Sequence, residues 1–429
     1  MIVWSQGRFL LFCYKLDFMG DSTNDILMPT ALPTSAAELA ELVTIANKTR
    51  FSTGAGFPPT PLAIAGNSSK LDWGGIVIGA KSLISTQKLD RLIAHAVGDL
   101  TITVEAGMKF AKLQEILANA GQFLPLDPAY PDRATIGGTI ATADTGSLRH
   151  RYGGVRDLLL GITFVRADGK IAKAGGRVVK NVAGYDMMKL FTGSYGTLGI
   201  LTEVTLRVYP LPTTEGTVII TGSVDRLANV AKILLASTLT PIAVDVVSTA
   251  FSQHLEISNT PSIVVKFATI PESIAQQSAQ LLEIAKGLGL KGGIWQGAQA
   301  AQLWSGIQTG IWGDSGSDRQ GLIGCKLGVR LTAAVPTIDM LDRLTDNTAK
   351  GVIHLNSGIG AIAIADSEHI TPLRTHCEAA GGFLSVLQAP VDVKQQIDVW
   401  GYRGNAVPLM RQIKQQFDPF NILNPGRCF

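Results

Sequence analysis

Cysteine is scarce in this 429-residue chain: Cys13, Cys325, Cys377 and Cys428 are far apart and form no CxxC pair. That spacing argues against a disulfide framework, a zinc site or an iron–sulfur cluster held by this chain alone. The 6 histidines show no HExxH or other ligand spacing, so no metal is expected. Long apolar runs are missing as well. Residues 1–18 are apolar but interrupted by Arg8, Lys15 and Asp17, and they lack a basic n-region and a small-residue cleavage site. Residues 1–32 therefore read as an N-terminal extension, with Met19 as the start of translation. Charge is limited too, with 17% charged residues, a net +3 and no basic run, which leaves no nucleic-acid signal. No GxGxxG follows a strand and no GxxxxGK[ST] occurs, so the Rossmann and P-loop readings are weak.

What is present is a well-packed globular composition, 46% hydrophobic, in a chain too long for one ordinary core. Residues 33–47 place Ser35 as the N-cap of an amphipathic helix. A strand over 62–65, another over 75–80 and an alternating strand beginning at Leu100 follow, then a helix over 109–121 closed by Gly121. Residues 158–175 read as a hairpin turning at Asp168–Gly169, and residues 195–210 as a long strand stopped by Pro210 and Pro212. That proline pair is the best domain boundary. Residues 216–366 alternate helices with antiparallel strands, which suggests a smaller sheet covered on one face. The expected organisation is a first α+β domain over 33–212, a cap over 213–415 and a C-terminal return over 416–429.

Two segments are rich in hydrogen-bond donors. Residues 66–70, GNSSK, end a strand with Asn67, Ser68, Ser69 and Lys70 able to donate to a pyrophosphate; a solvated turn is the other reading. Residues 134–157 combine Gly137, Gly138, Ala141, Ala143 and Gly146 with Thr135, Thr139, Thr142, Thr145 and Ser147, then Arg149, His150 and Arg151. Small residues leave backbone N–H groups open to a close-lying anion, and successive N–H groups beside Arg form the concavity that phosphates favour. A Gly/Thr-rich turn in a sandwich is the alternative.

The order AGNSSKLDWG, PLDPAYPDRATIGGTIATADTG, RHRYGGVRD, VVKNVAGYDMMKLFTGSYGTLGILTEVTLRVYP and FDPFNILNPGR resembles the FAD-binding PCMH (vanillyl-alcohol-oxidase-type) superfamily. Within it, the chain is most similar to the FAD-binding subunits of glycolate oxidase, the GlcE family. The resemblance implies a two-subdomain PCMH-type domain, followed by a smaller α+β cap with an antiparallel sheet, and FAD as the cofactor. It implies a pyrophosphate loop of Gly66, Asn67, Ser68, Ser69 and Lys70. Asp132, Thr135, Ile136, Gly137, Gly138 and Thr139, with Ala143, Gly146, Arg149, Tyr152 and Gly153, would follow the ADP and ribityl portions. Gly196, Gly199 and Ile200 would lie beside a ring system with Glu203 just beyond, and Asn424 would hydrogen-bond from the tail.

By the same resemblance the chain oxidises a small 2-hydroxy acid, glycolate, to glyoxylate within a complex. Its implied partners are a homologous larger FAD subunit and an iron–sulfur subunit. The implied location is cytoplasmic, with attachment to the inner face of a membrane through the complex as a second option. A free-standing FAD-dependent dehydrogenase and a non-catalytic assembly subunit are the other readings. Catalytic residues are not identified. Lys180, in the KNxxGYD match with Asn181, Tyr185 and Asp186, and His354, on an apolar strand, are candidates; each has a structural role as its alternative.

Overall fold

The computed structural model describes residues 30–48, 59–176, 185–313 and 321–428. Met19, Lys180 and Asn181 lie outside the described residues.

Among the described residues, ten strands lie before Pro212: β1 (Thr30–Ala31), β2 (Leu62–Ala65), β3 (Ser82–Ser85), β4 (Leu92–Ala96), β5 (Thr101–Glu105), β6 (Gln122–Phe123), β7 (Leu159–Val165), β8 (Ile171–Gly175), β9 (Ile200–Arg207) and β10 (Tyr209–Pro210). They build two subdomains. The first is a parallel sheet in the order β1-β3-β2. Against it packs the helix Ala36–Lys48, which buries Leu39 and Val43, and Ser35 Oγ accepts from Glu38 N at 3.2 Å as the N-cap. The second is an antiparallel sheet in the order β4-β5-β9-β7-β8. Its β7–β8 hairpin turns at Gly169, whose φ of +80° suits glycine.

Residues 75–80, read above as a strand, are not one. Their partners are in the tail: Gly75 N donates to Arg427 O (3.0 Å) and Ile78 N to Pro425 O (2.8 Å). The strand comes later, at β3, and β4 was not anticipated.

The chain leaves the five-stranded sheet at Arg207 and enters a wider one at Thr214. The strands of that sheet are β11 (Thr214–Thr221), β12 (Ala243–Val247), β13 (Ser262–Thr269), β14 (Lys291–Trp295), β15 (Ile323–Gly328), β16 (Lys350–His354), β17 (Ile359–Ile364) and β18 (Phe383–Gln388). Their order is β14-β11-β13-β12-β16-β17-β15-β18, antiparallel throughout. Alternation along each strand sends Val218 and Ile220 to one face and Ile219 to the other. The first face packs under the helices Val224–Ala236, Pro271–Gly287, Ala334–Leu344 and Ile370–Ala379. The second face is also covered, contrary to the one-sided expectation. There Ile219, Val247, Val264 and Leu387 meet Ile311 and Trp312, together with Trp73, Ala129 and Tyr130 of the first domain. The helix Val407–Phe417 is already back on the first domain, with Ile413 and Phe417 packed on its core. No helix of the described residues is long and apolar enough to cross a membrane.

Lys394 ties the two domains. Its buried Nζ donates across the interface to Asp72 O and Gly74 O (3.0 Å) and, within its own domain, to Leu387 O (3.1 Å). Replacing it as Lys394→Met strands these carbonyls and is expected to destabilise the fold by about 3 kcal/mol. Thermal denaturation checks this; a variant as stable as the parent would show that the carbonyls find other donors.

Candidate functional site

At the end of β2 the chain turns sharply through residues 66–70. Ser68 adopts φ +54°, a conformation rare for a residue with a Cβ. Among the described residues, the backbone N–H groups of Asn67, Ser68, Ser69 and Lys70 donate to no protein acceptor. Gly66 is required by a neighbour: a Cβ there would sit 2.0 Å from Thr135 Oγ1. Thr135 caps the short helix Ile136–Ala141 by accepting from Gly138 N at 3.1 Å, so the turn and this helix are in contact. Gly137 also answers to the protein rather than to open space. Its N–H donates to Ala106 O at 2.7 Å, and a Cβ would meet Ala106.

A third wall comes from residues 194–201, where Tyr195 and Gly196 have φ +52° and +70°. The tail closes the site. Asn424, itself at φ +46°, accepts from Ile64 N at 2.8 Å through Oδ1 and donates to Tyr195 O at 2.8 Å through Nδ2. These segments line a cleft of about 740 Å³ that is open to solvent. No carboxylate lines it, whereas Lys70 and Arg427 do. Unpartnered N–H groups, hydroxyls and two cations, with no carboxylate in the wall itself, are the donor set a diphosphate needs.

Of the residues named from sequence, the structure brings Gly66, Asn67, Ser68, Ser69, Lys70, Thr135, Gly137, Gly138, Gly196, Gly199, Ile200 and Asn424 to this cleft. Others lie elsewhere. Asp132 is exposed, Ile136 is in the hydrophobic core, and Thr139 is buried with its Oγ1 unpartnered. Ala143 O accepts from Lys326 Nζ (3.1 Å), and Gly146 lines a second cavity. Arg149 folds onto Gly154, Tyr152 packs its ring on Phe123 and Tyr209, and Gly153 ends a helical turn at φ +79°. Glu203 faces Glu105 across the five-stranded sheet and accepts from Thr163 Oγ1 at 3.1 Å. Thr142, one of the hydroxyl donors of the second segment, and Arg427, expected from the resemblance near phosphate or the carboxyl terminus, line the cleft too; Ser194 and Tyr195 line it without having been singled out, although Tyr195 stands inside the GSYGTLG match.

The second cavity, about 530 Å³, opens where the domains meet. The Lys70–Asp144 ion pair (2.5 Å) joins it to the cleft, since Lys70 lines one and Asp144 the other. His354 reaches this cavity and is not the isolated histidine its sequence suggested. Its Nδ1 lies 2.7 Å from Asp245 Oδ1, and Asp245 Oδ2 accepts from Ser147 Oγ of the first domain. Burial disfavours the imidazolium, but the Asp245 carboxylate beside it, with Asp127 behind, outweighs burial and holds His354 above its ordinary value. Burial pushes the Asp127 carboxyl up, although it accepts from Leu148 N (3.0 Å) and Gly146 N (2.8 Å). Asp245 was missed; the signal available was one acid in the apolar strand AVDVV. Among the described residues no cluster of three or more His, Cys, Asp or Glu side chains could hold a metal ion.

Comparison with known proteins bears on this geometry. The family model described as "FAD binding domain" matches residues 29–175, and "FAD linked oxidases, C-terminal domain" matches residues 400–428. Residues 29–175 thus carry a FAD-binding domain. FAD is its cofactor. Both matched segments contribute to the cleft, the first through residues 64–142 and the second through Asn424 and Arg427. The chain is 39% identical to glycolate oxidase subunit GlcE of Escherichia coli (strain K12) over 154 residues, 36% of this chain and 43% of that protein. It is 30% identical to glycolate oxidase subunit GlcD of Bacillus subtilis (strain 168), over 51% of this chain and 45% of that one. The match thus spans less than half the length of either relative. A D-2-hydroxyglutarate dehydrogenase of Xanthomonas citri pv. viticola is 27% identical over 93% of this chain and 88% of its own. The crystal structure of p-cresol methylhydroxylase with substrate bound superposes with a TM-score of 0.68 at 16% identity, covering 93% of this chain and 88% of that one, which shows the shared fold.

The His354–Asp245 pair yields a titration with a definite sign. With its folded pKa raised, the pairing stabilises the protein fully below about pH 6.5 and is lost as pH rises through the folded value. Imidazole NMR is expected to place His354 above 6.5 in the parent and lower in Asp245→Asn, where Asp127 alone is left to oppose burial. No change between the two would show that Asp245 does not set the charge of His354.

Proposed function

We propose that FAD lies in the first cleft and that the chain is the FAD-binding subunit of a glycolate oxidase-type complex. The complex oxidises a small 2-hydroxy acid to the 2-oxo acid. The observation that carries the cofactor's placement is the carboxylate-free cleft with four successive unpartnered N–H groups. In this reading residues 67–70 hold the diphosphate, and Lys70 adds charge while kept in place by Asp144. Residues 135–142 and 194–201 flank the rest of the dinucleotide. Gly199 and Ile200 present a glycine-lightened strand end to one of its ring systems. Bound FAD supplies the acceptor for the hydride that leaves the hydroxyl-bearing carbon.

The chain's own contribution is to fix and dry that site. Trp73, Tyr130 and Trp312 seal the side facing the second domain, with the Trp73 and Trp312 ring centroids 4.5 Å apart. Similarity to the two glycolate oxidase subunits supports membership of a complex, and electrons then pass to an iron–sulfur partner at the cytoplasmic face of a membrane or in the cytoplasm. A second reading, a free-standing 2-hydroxy-acid dehydrogenase, draws support from the 27% identity that extends over 93% of the chain to a D-2-hydroxyglutarate dehydrogenase.

The purified chain is expected to carry a flavin absorbance that dithionite bleaches. Gly66→Ala, driving a methyl group into Thr135, is expected to weaken FAD binding at least about tenfold, about 1.4 kcal/mol. A parent protein that stays colourless after reconstitution with FAD would sink the reading. Turnover of glycolate with an artificial acceptor by the isolated chain would favour the free-standing enzyme, and dependence on added partner subunits the complex.

A further inference from the structure

The floor of the second cavity is set by strand register. Lys326 on β15 and Val352 on β16 both pair with Ala361 on the intervening β17, so the three form one row across the sheet. His354 lies two residues beyond Val352 and therefore on the same face. Two strand spacings put the backbones of β15 and β16 about 10 Å apart, with only the methyl of Ala361 between them. A lysine and a histidine thus flank a shallow gap, and both line the cavity.

Their hydrogen-bond inventories are incomplete in the same sense. Among the described residues, Lys326 Nζ has one acceptor, Ala143 O, which leaves two of its three donors open. His354 spends Nδ1 on Asp245, and its Nε2 has no protein partner among the described residues. The acids nearby are occupied. Asp127 accepts two backbone N–H groups, Asp144 accepts from Ala129 N (2.9 Å) and pairs with Lys70, and Asp245 is shared by Ser147 and His354. The cavity therefore offers surplus donors on one side. Trp73, Ile311, Trp312 and Leu387 give the other side an apolar surface suited to a short carbon skeleton.

We propose that this cavity binds a small organic carboxylate through Lys326 Nζ and His354 Nε2. Asp245 acts as a positioning residue that orients the imidazole, and Ser147 reaches across the domain interface to fix Asp245. Resting on the proposed function, the carboxylate is the 2-hydroxy acid itself, held one ion pair away from the dinucleotide cleft.

Calorimetry on the full flavin-loaded chain tests this with glycolate and its neutral amide, glycolamide. Glycolate is expected to bind at least tenfold more tightly than glycolamide. Lys326→Met and His354→Gln are each expected to lower glycolate affinity about tenfold while flavin absorbance is retained. Equal affinity for the acid and the amide overturns the proposal in the parent protein, where no variant need fold. Unchanged glycolate affinity in a flavin-retaining Lys326→Met overturns it as well. A chain that never takes up FAD yet binds glycolate selectively upholds the anion site and removes only its identification as the substrate site of a flavoenzyme.

Discussion

One side chain holds the cleft together. Asn424 receives the backbone N–H of Ile64, gives to the carbonyl of Tyr195, and donates its own N–H to Leu62 O at 3.0 Å. It thereby fixes β2, from which the 66–70 turn departs, to the loop that enters β9. Both walls would otherwise end in unsatisfied backbone groups, which a buried site does not tolerate cheaply. The segment that carries it is anchored in turn: Asp418 accepts from Ile422 N (3.0 Å) and Leu423 N (2.8 Å), and Lys414 bonds Asp418 Oδ2 (2.5 Å) and Leu423 O (2.9 Å).

Backbone strain gathers in the same place. Ser68, Tyr195 and Asn424 line the cleft with left-handed φ values, and Tyr130 (φ +56°) and Ala143 (φ +47°) lie towards the domain interface. Each costs roughly 1–3 kcal/mol in isolation and persists only because its surroundings leave no alternative. Tyr130 illustrates this, with its hydroxyl donating to Trp312 O at 3.0 Å and so holding it to the second domain. The cleft is therefore built by packing between distant segments rather than by one local motif.

That distinction decides what the sequence made legible. The helix Ala36–Lys48 and the β7–β8 hairpin could be read because periodicity, an N-cap serine and a turn glycine are all local signals. The convergence of residues 66–70 with 135–138 followed from composition and from resemblance. Residues 75–80 misled because an apolar run signals burial, while its hydrogen-bond partners lie some 350 residues away at 425–427. Tyr152 misled differently: an aromatic inside a donor-rich motif looks the same whether it faces a ligand or packs on Phe123 and Tyr209. Asp245 stayed hidden because its meaning depends on His354, 109 positions later, and on Ser147 from the other domain.

The position of Asn424 and Arg427 in the cleft wall also orders events in time. A ribosome delivers these residues after more than 420 others, when both sheets can already have formed. Until they emerge, β2 and the Tyr195 loop have nothing to clasp them, and the pocket between them stands open on one side. Any molecule that relies on that wall is captured only once residues 424–427 have emerged and closed over β2.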